Sequence, residues 1–286
     1  MKDAFDHIDR LFHMRGDRTG LTSGFRDIDT MTTGFQPGNF VIIAARPGMG
    51  KTSFALNMAV AAAREEVEPI AFFSLEMSNS ELIQRLICAE ARISMNDMRR
   101  GNIKAHQWED ISRAMGSLNE LPIYLDDIGA LTVSDVRSRC RRLKSTVGLG
   151  AIFIDYLQLV RPGVLARNTN RNEELSEICR SLKATAKDLA VPIVALAQLN
   201  RGVEIRSEKR PMLADLRDSG SLEQEADVVA FLYRDGYYNP ETPEPDLTEF
   251  IIAKHRNGPT GAVKLRFQRE YTLFLPYGNE SHFPTP

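Results

Sequence analysis

The chain has 286 residues, 43% of them hydrophobic, and a formal net charge of −2 at pH 7. This length and apolar content are sufficient for one large α/β domain with a full hydrophobic core. The charge excludes a basic surface over the whole chain, so any contact with nucleic acid must come from local loops.

Cysteine usage and the lack of long apolar runs indicate the compartment. The three cysteines, Cys88, Cys140 and Cys179, are far apart and have no paired spacing typical of metal ligands, which predicts reduced, buried thiols in a cytosol. No apolar run approaches the roughly 20 residues of a membrane span, and the N-terminus has charges where a signal peptide would be apolar. We therefore expect a soluble, cytoplasmic protein with no membrane partner.

The first predicted element is a helix within Lys2 to Met14. Its apolar residues fall at helical spacing on one face, namely Ala4, Phe5, Ile8, Leu11 and Phe12. Three glycines then separate this helix from the rest of the chain. The residues leave two alternatives open: the helix packs on its own domain, or it packs on something else.

A phosphate-binding loop follows the apolar run that begins at Phe40. Glycine usually begins this motif, and Ala45 stands there instead, so the match is to its relaxed form. Backbone N–H groups at the following helix N-terminus attract an anion, Lys51 can reach the β and γ phosphates, and Thr52 can ligate Mg²⁺. We predict that a nucleoside triphosphate and Mg²⁺ bind here. The predicted cofactor-binding residues are Arg46, Pro47, Gly48, Met49, Gly50, Lys51, Thr52 and Ser53.

Short apolar runs then alternate with helical stretches, which predicts a parallel sheet covered by helices on both faces. The runs are Ile70–Leu75, Pro122–Leu125, Ala151–Asp155 and Pro192–Ala197. Ser78 with Glu81 and Thr132 with Asp135 each fit a capping box at a helix start. After Asp227, four further apolar runs follow without helices between them, and we expect mostly antiparallel strands that extend the sheet.

Polar residues stand where three of these runs end. Asp155 can hold Mg²⁺ at a strand's C-terminal edge, although it can also simply cap the next turn. Glu76 can deprotonate an attacking water, although an acid at a helix N-terminus is favoured by the macrodipole alone. Gln198 can sense the γ-phosphate and pass its presence to the next loop.

Three later segments are predicted to be loops or turns. Arg201–Asp218 is rich in both charges and is predicted to be a mobile loop, and Tyr237–Leu247 a solvated excursion without chemistry. Asn257-Gly258 predicts a hairpin turn beside Lys254 and Arg256. These two cations are either plain solubilising charge or groups projected into a neighbour's phosphate site.

Six ordered blocks together resemble the ATPase domain of the DnaB-type family of bacterial replicative DNA helicases, from about Thr19 to the C-terminus. The blocks are 45–52, Ser74-Leu75-Glu76-Met77, 153–159, Gln198-Leu199-Asn200-Arg201, 218–224 and Lys254-His255-Arg256-Asn257-Gly258. The resemblance implies a RecA-like P-loop NTPase of α/β class, with a mostly parallel central sheet, flanking helices and C-terminal antiparallel strands. It also implies that the nucleotide is ATP, and that six subunits form a ring that moves 5′ to 3′ on single-stranded DNA at a replication fork.

Residue roles follow from the same resemblance. Lys51 and Thr52 become phosphate and Mg²⁺ ligands, and Asp155 the Mg²⁺ carboxylate. The implied catalytic residues are Lys51, the base Glu76, the sensor Gln198, and Lys254 and Arg256 offered in trans. The predicted DNA contacts lie in two neighbouring loops and are Arg201, Arg210, Arg217, Asp218 and Gly220.

The resemblance also implies a domain division and partners. Residues 1–18 correspond to a linker helix that docks on the adjacent subunit, and 19–286 to the ATPase domain. Family members also have an N-terminal collar that contacts the primase, and this chain begins at the linker helix. Primase and helicase-loader contacts that need the collar are therefore not expected here. The alternatives are a RecA-type recombinase and an ATPase that drives protein assembly.

Overall fold

The computed structural model describes residues 18–66, 68–162 and 170–278. The predicted helix within Lys2 to Met14 and its docking on a neighbour lie outside the described residues. Within them the strands are β1 Phe40–Ala45, β2 Ile70–Ser74, β3 Ile123–Asp126, β4 Ala151–Asp155, β5 Ile193–Gln198, β6 Val228–Tyr233, β7 Leu247–His255, β8 Gly261–Gln268 and β9 Leu273–Pro276. They form a 9-stranded sheet in the order β3-β2-β4-β5-β1-β6-β7-β8-β9.

Strands β1 to β6 are parallel, as the apolar runs predict, and the C-terminal strands are antiparallel. The expected fold class is thus confirmed, with one correction. The apolar pattern places β6 in the antiparallel tail, whereas in the structure β6 pairs parallel to β1 and antiparallel to β7. Helical segments between β5 and β6 form a crossover connection, which allows β6 to run in the same direction as β5.

The helices cover both faces of the sheet. They are α1 Arg26–Thr32, α2 Lys51–Glu66, α3 Asn79–Ala91, α4 Met95–Arg100, α5 Gln107–Asn119, α6 Val133–Thr146, α7 Arg171–Leu189, α8 Gly202–Ile205, α9 Gly220–Glu225 and α10 Asp235–Tyr238. Both predicted capping boxes are present, at Ser78 before α3 and Thr132 before α6. A third, at Asn170 before α7, was not predicted.

Three local expectations need correction. The 201–218 segment is not a plain loop, since it contains α8 and a 3₁₀ helix at Leu213–Ser219. Helix α10 interrupts the tail between β6 and β7. Strand β3 lies at the sheet edge and is only partly buried, unlike β1, β2 and β4.

Two hydrophobic clusters fill the space on either side of the sheet. The first centres on Phe54 of α2, whose ring lies 5.2 to 5.3 Å from the rings of Phe25, Phe250 and Phe274. All three cysteines are buried, and burial raises the pKa of the Cys140 thiol to about 12, in line with the expected reduced core thiols. Among the described residues, no helix is long and apolar enough to cross a membrane.

Candidate nucleotide-binding site

The phosphate loop leaves β1 at Ala45 and enters α2 at Lys51, as predicted. Gly48 and Gly50 both have positive φ, 80° and 94°. A Cβ on Gly50 would lie 3.0 Å from Phe274 and 3.1 Å from Phe267, so both conformation and space require glycine there. The core aromatic rings therefore support the loop from below.

Lys51, the first residue of α2, faces a tyrosine and two carboxylates. Its Nζ lies 4.8 Å from the ring centroid of Tyr156. Burial lowers the pKa of Lys51, while the negative charges of Asp155 and Glu76 act in the opposite direction. The Lys51 ammonium is partly buried and incompletely compensated, so the negative charges of a polyphosphate stabilise it further.

Asp155 is completely buried at the end of β4 and meets the first turn of α2. Thr52 Oγ1 donates a 2.6 Å hydrogen bond to Asp155 Oδ2, while Oδ1 is buried without a hydrogen-bond partner among the described residues. Burial raises the pKa of Asp155, opposed mainly by Lys51 and the Thr52 hydrogen bond. A hydroxyl and an unsatisfied carboxylate oxygen side by side are the hard ligands that Mg²⁺ prefers, so these residues fit that ion.

Glu76 is brought to the same edge of the sheet by the pairing of β2 with β4. Ser74 lies opposite Asp155 in the ladder, and Leu75 N donates to Asp155 O at 2.6 Å. The next turn is fixed because Ser74 Oγ donates to Met77 O at 2.7 Å. Glu76 is left exposed within this turn, close enough for its charge to act on Lys51 and Tyr156.

Gln198 ends β5, as predicted, and its main chain is held by a residue to which no role was given. Gln158 Nε2 donates to Gln198 O at 3.1 Å, and Gln198 N donates to Gln158 Oε1 at 3.3 Å. The Gln198 side chain itself is exposed. The side-chain amide of Gln158 therefore links the C-terminal ends of the adjacent strands β4 and β5 at the backbone of Gln198.

The Arg46 side chain contacts the segment that follows β5. Arg46 is 7% exposed. Its Nη1 donates to Leu199 O at 2.7 Å, and its Nε donates to Glu204 Oε1 at 2.9 Å. Glu204 lies on α8, in the segment after Gln198. An ion pair thus joins the phosphate loop to α8, which directly follows Arg201, the first of the predicted DNA-contacting residues.

Two residues that sequence reasoning missed lie beside the loop. Arg85 of α3 donates from Nη1 to Ser53 Oγ at 3.3 Å, and its charge acts on Asp155. The ring of Tyr237 lies against Gly48, since an added Cβ there would be 2.8 Å from the ring. The segment 237–247 is therefore not a purely solvated excursion. Neither residue carries a local signal, because tertiary packing alone brings them to the loop.

Lys254 and Arg256 do not join this group. Lys254 pairs with Val229, and His255 with Val228, near the start of β6, which runs parallel to β1. Arg256 N donates to Asp227 O, beside the first residue of β1, so Arg256 lies about 16 Å along β1 from the phosphate loop at roughly 3.3 Å per strand residue. Lys254 lies level with Ile42, about 10 Å from the loop on the same scale, and its Nζ donates to Ala226 O, which precedes β6. Asn257-Gly258 does form the turn between β7 and β8, as predicted.

The predicted DNA-contacting residues lie between β5 and β6. Arg201 is exposed, whereas Arg210 pairs with Glu249 of β7. The backbone of Arg217 and Asp218 belongs to the 3₁₀ helix, and Gly220 begins α9. The structure therefore puts all five on one crossover connection, with Arg210 already engaged within the subunit.

Fold and site together define a class. A glycine-bearing loop follows a central parallel strand, its lysine opens a helix, and a carboxylate from a nearby strand meets the following threonine. This is the arrangement of a P-loop domain with the RecA-like fold.

Comparisons with known proteins give the family. The chain belongs to the DnaB-like helicase C-terminal domain family, whose model matches residues 20–276. Replicative DNA helicase DnaC of Bacillus subtilis (strain 168) is 50% identical over 272 residues, which cover 95% of this chain and 60% of that protein. The chain thus spans about three fifths of the length of the curated relatives it matches.

Solved structures agree. A structure described as an ATPase domain superposes with a TM-score of 0.92 at 40% identity, covering 96% of this chain and 97% of that one. A DnaB-like replicative helicase, described with its interactions with primase, gives a TM-score of 0.89 at 40% identity, covering 96% and 66%.

We predict that Glu204→Gln loosens α8 without unfolding the domain. The change keeps a hydrogen-bond acceptor for Arg46 but removes the ion pair, a loss of about 1 kcal/mol for a partly buried pair. Amide hydrogen exchange of residues 200–206 should become about five-fold faster, while the global unfolding midpoint moves little. Glu208→Gln removes the same charge four residues further on and serves as control. Equal exchange in both variants would contradict the link.

Proposed function

We propose that this chain is the motor domain of a replicative DNA helicase. Six copies form a ring that binds ATP between subunits and moves 5′ to 3′ along single-stranded DNA, unwinding duplex at a fork. The proposal includes a cytoplasmic location, and contacts to a primase and a helicase loader made through parts of the assembly outside this domain.

One observation carries the proposal of a shared site. Lys51, Thr52 and Asp155 meet at one edge of the sheet, whereas Arg256 lies beside the first residue of β1. A phosphoryl-transfer site needs positive charge against the transferring group, beyond the cradle lysine. Because the length of β1 separates Arg256 from the cradle within one copy, Lys254 and Arg256 would act at the nucleotide of a neighbouring copy.

The chain's residues have distinct tasks in hydrolysis. Lys51 binds the β and γ phosphates, and Glu76 accepts a proton from the water that attacks the γ-phosphorus, with ADP as the leaving group. Thr52 and Asp155 would hold Mg²⁺, which neutralises developing charge on the phosphates when bound. Gln198 contacts the γ-phosphate, and Lys254 and Arg256 of the neighbour stabilise the transition state.

DNA binding in this proposal comes from the crossover connection. In the ring, Arg201, Arg217, Asp218 and Gly220 contact the phosphate backbone of the DNA. Arg210 joins them when its ion pair with Glu249 opens. A ring repeats each local contact six times, so a subunit with a net charge of −2 needs few donors. Such contacts to the backbone carry no base readout.

We expect the chain to separate a forked duplex that has a 5′ single-stranded tail, using ATP. Lys51→Ala should show no strand displacement, because it loses the phosphate contact while the DNA loops stay intact. A fluorescence-based displacement assay measures this. Turnover of ATP without any displacement would favour an assembly ATPase, and open filaments instead of closed rings in electron microscopy would favour a recombinase.

We expect Arg256→Ala to bind ATP with little change and to lose about 10³- to 10⁵-fold in turnover, or roughly 4 to 7 kcal/mol of transition-state stabilisation. Mixing it with Glu76→Ala subunits should restore part of the activity, because some interfaces then combine an intact base with an intact arginine. Nucleotide affinity and steady-state ATPase rates test both points. A mixture as inactive as its components would contradict a shared site.

A further inference from the structure

Asp227 is a buried carboxylate at the N-terminal ends of β1 and β6, and it has no role in the proposed hydrolysis steps. It is 7% exposed and lies between α9 and β6. Its backbone N donates to Phe40 O at 2.8 Å, and Phe40 N donates to its Oδ2 at 2.7 Å. Asp227 is thus fixed to the first residue of β1.

Two cations share this carboxylate. Lys183 of α7, 9% exposed, donates to Asp227 Oδ2 and to Gly38 O, the latter at 2.8 Å. Arg256 donates from Nη1 to Asp227 Oδ1 at 3.3 Å. The two oxygens of Asp227 therefore each have a cationic partner, Lys183 at Oδ2 and Arg256 at Oδ1.

Arg256 is held at further points. Its backbone N donates to Asp227 O at 2.9 Å, and its Nη2 donates to Gln224 O at 2.5 Å. Lys254 donates to Ala226 O at 2.9 Å and to Glu223 O, at the carbonyl end of α9. Burial, and then the nearby charge of Arg256, lower the pKa of Lys254. Contacts with Asp227 and with carbonyl groups at the end of α9 therefore fix the positions of the Arg256 and Lys254 side chains within the free subunit.

We propose that Asp227 is a positioning residue for the reaction at the neighbouring subunit's nucleotide. It orders the Arg256 side chain at the subunit surface before the two subunits meet. This inference rests on the proposed shared site, because Arg256 must act in trans for its position to matter there.

The physical reason is the cost of ordering a long side chain. A long arginine side chain loses much of its rotamer entropy when it is fixed in one position. Asp227 bears part of that cost in the folded subunit, so less is lost when the transition state forms. Since the arginine acts mainly on the transition state, loss of Asp227 should lower kcat and leave ATP affinity nearly unchanged.

The test is Asp227→Asn, which keeps an acceptor for Phe40 N and removes the charge shared by Lys183 and Arg256. We expect kcat to fall about 10- to 100-fold, less than for loss of the arginine itself, with KM for ATP within about three-fold. Asp29→Asn is the control, a mostly buried aspartate that accepts from Ser23 N at 2.8 Å and Thr22 Oγ1 at 2.7 Å. It should leave kcat unchanged.

A second variant guards against a folding defect. Asp227→Asn alone leaves the Lys183 ammonium buried without its partner, whereas the double variant Asp227→Asn with Lys183→Met removes both charges, a change that is often neutral for stability. If the inference holds, the double variant recovers the unfolding midpoint but not kcat. Recovery of kcat together with stability would overturn the inference.

Mixing of variant subunits shows whether Asp227→Asn impairs the subunit's own nucleotide site or the Arg256 that it offers to its neighbour. Asp227→Asn subunits should regain activity when mixed with Glu76→Ala subunits, which supply an intact Arg256, and should regain none with Arg256→Ala subunits. The mixture of Glu76→Ala and Arg256→Ala subunits is the reference pair. If this pair is active and Arg256→Ala subunits also rescue Asp227→Asn subunits, the role of Asp227 is overturned but the shared site is not. Failure of that reference pair would overturn both.

Discussion

Strand β1 is the constraint on which the rest of the structure depends. It is fully buried and paired on both sides, with β5 and β6, so neither end can move independently of the other. Its C-terminal end continues into the phosphate loop, and its first residue holds Asp227. Strand β1 therefore holds the phosphate loop at its C-terminal end and the turn with Arg256 at its N-terminal end. Within one copy, the length of the strand keeps Arg256 apart from the phosphate loop.

The cradle has charges that a folded core does not favour. Burial acts against the charged forms of both Lys51 and Asp155, and an oxygen of Asp155 has no hydrogen-bond partner in the described part of the chain. Such groups reduce the stability of the free domain, and this cost is offset when phosphates and a cation bind. The aromatic cluster around Phe54 in the first turn of α2 supplies the packing that keeps the loop in place meanwhile.

Sequence patterns predicted the sheet and the strand-end residues because these depend on local apolar runs and on the rule that parallel strands end at one edge. The direction of β6 does not follow from its own residues, because it depends on the helical crossover before it, whose charged sequence is typical of a loop. Arg85, Gln158 and Asp227 were missed for a different reason. Each stands in an ordinary local context, and its role comes from partners far along the chain, such as Phe40 for Asp227. The orientation of Arg46 toward Glu204 is likewise set by a contact between distant segments.

The measurement that tests the shared site most directly is the ATPase rate per subunit as a function of protein concentration, with and without single-stranded DNA. If hydrolysis requires cations from a second copy, the rate per subunit should fall toward zero on dilution below the assembly midpoint. Single-stranded DNA should raise the rate and shift that midpoint to lower concentration. A sample shown to be monomeric by light scattering that hydrolyses ATP at the full rate would contradict the account.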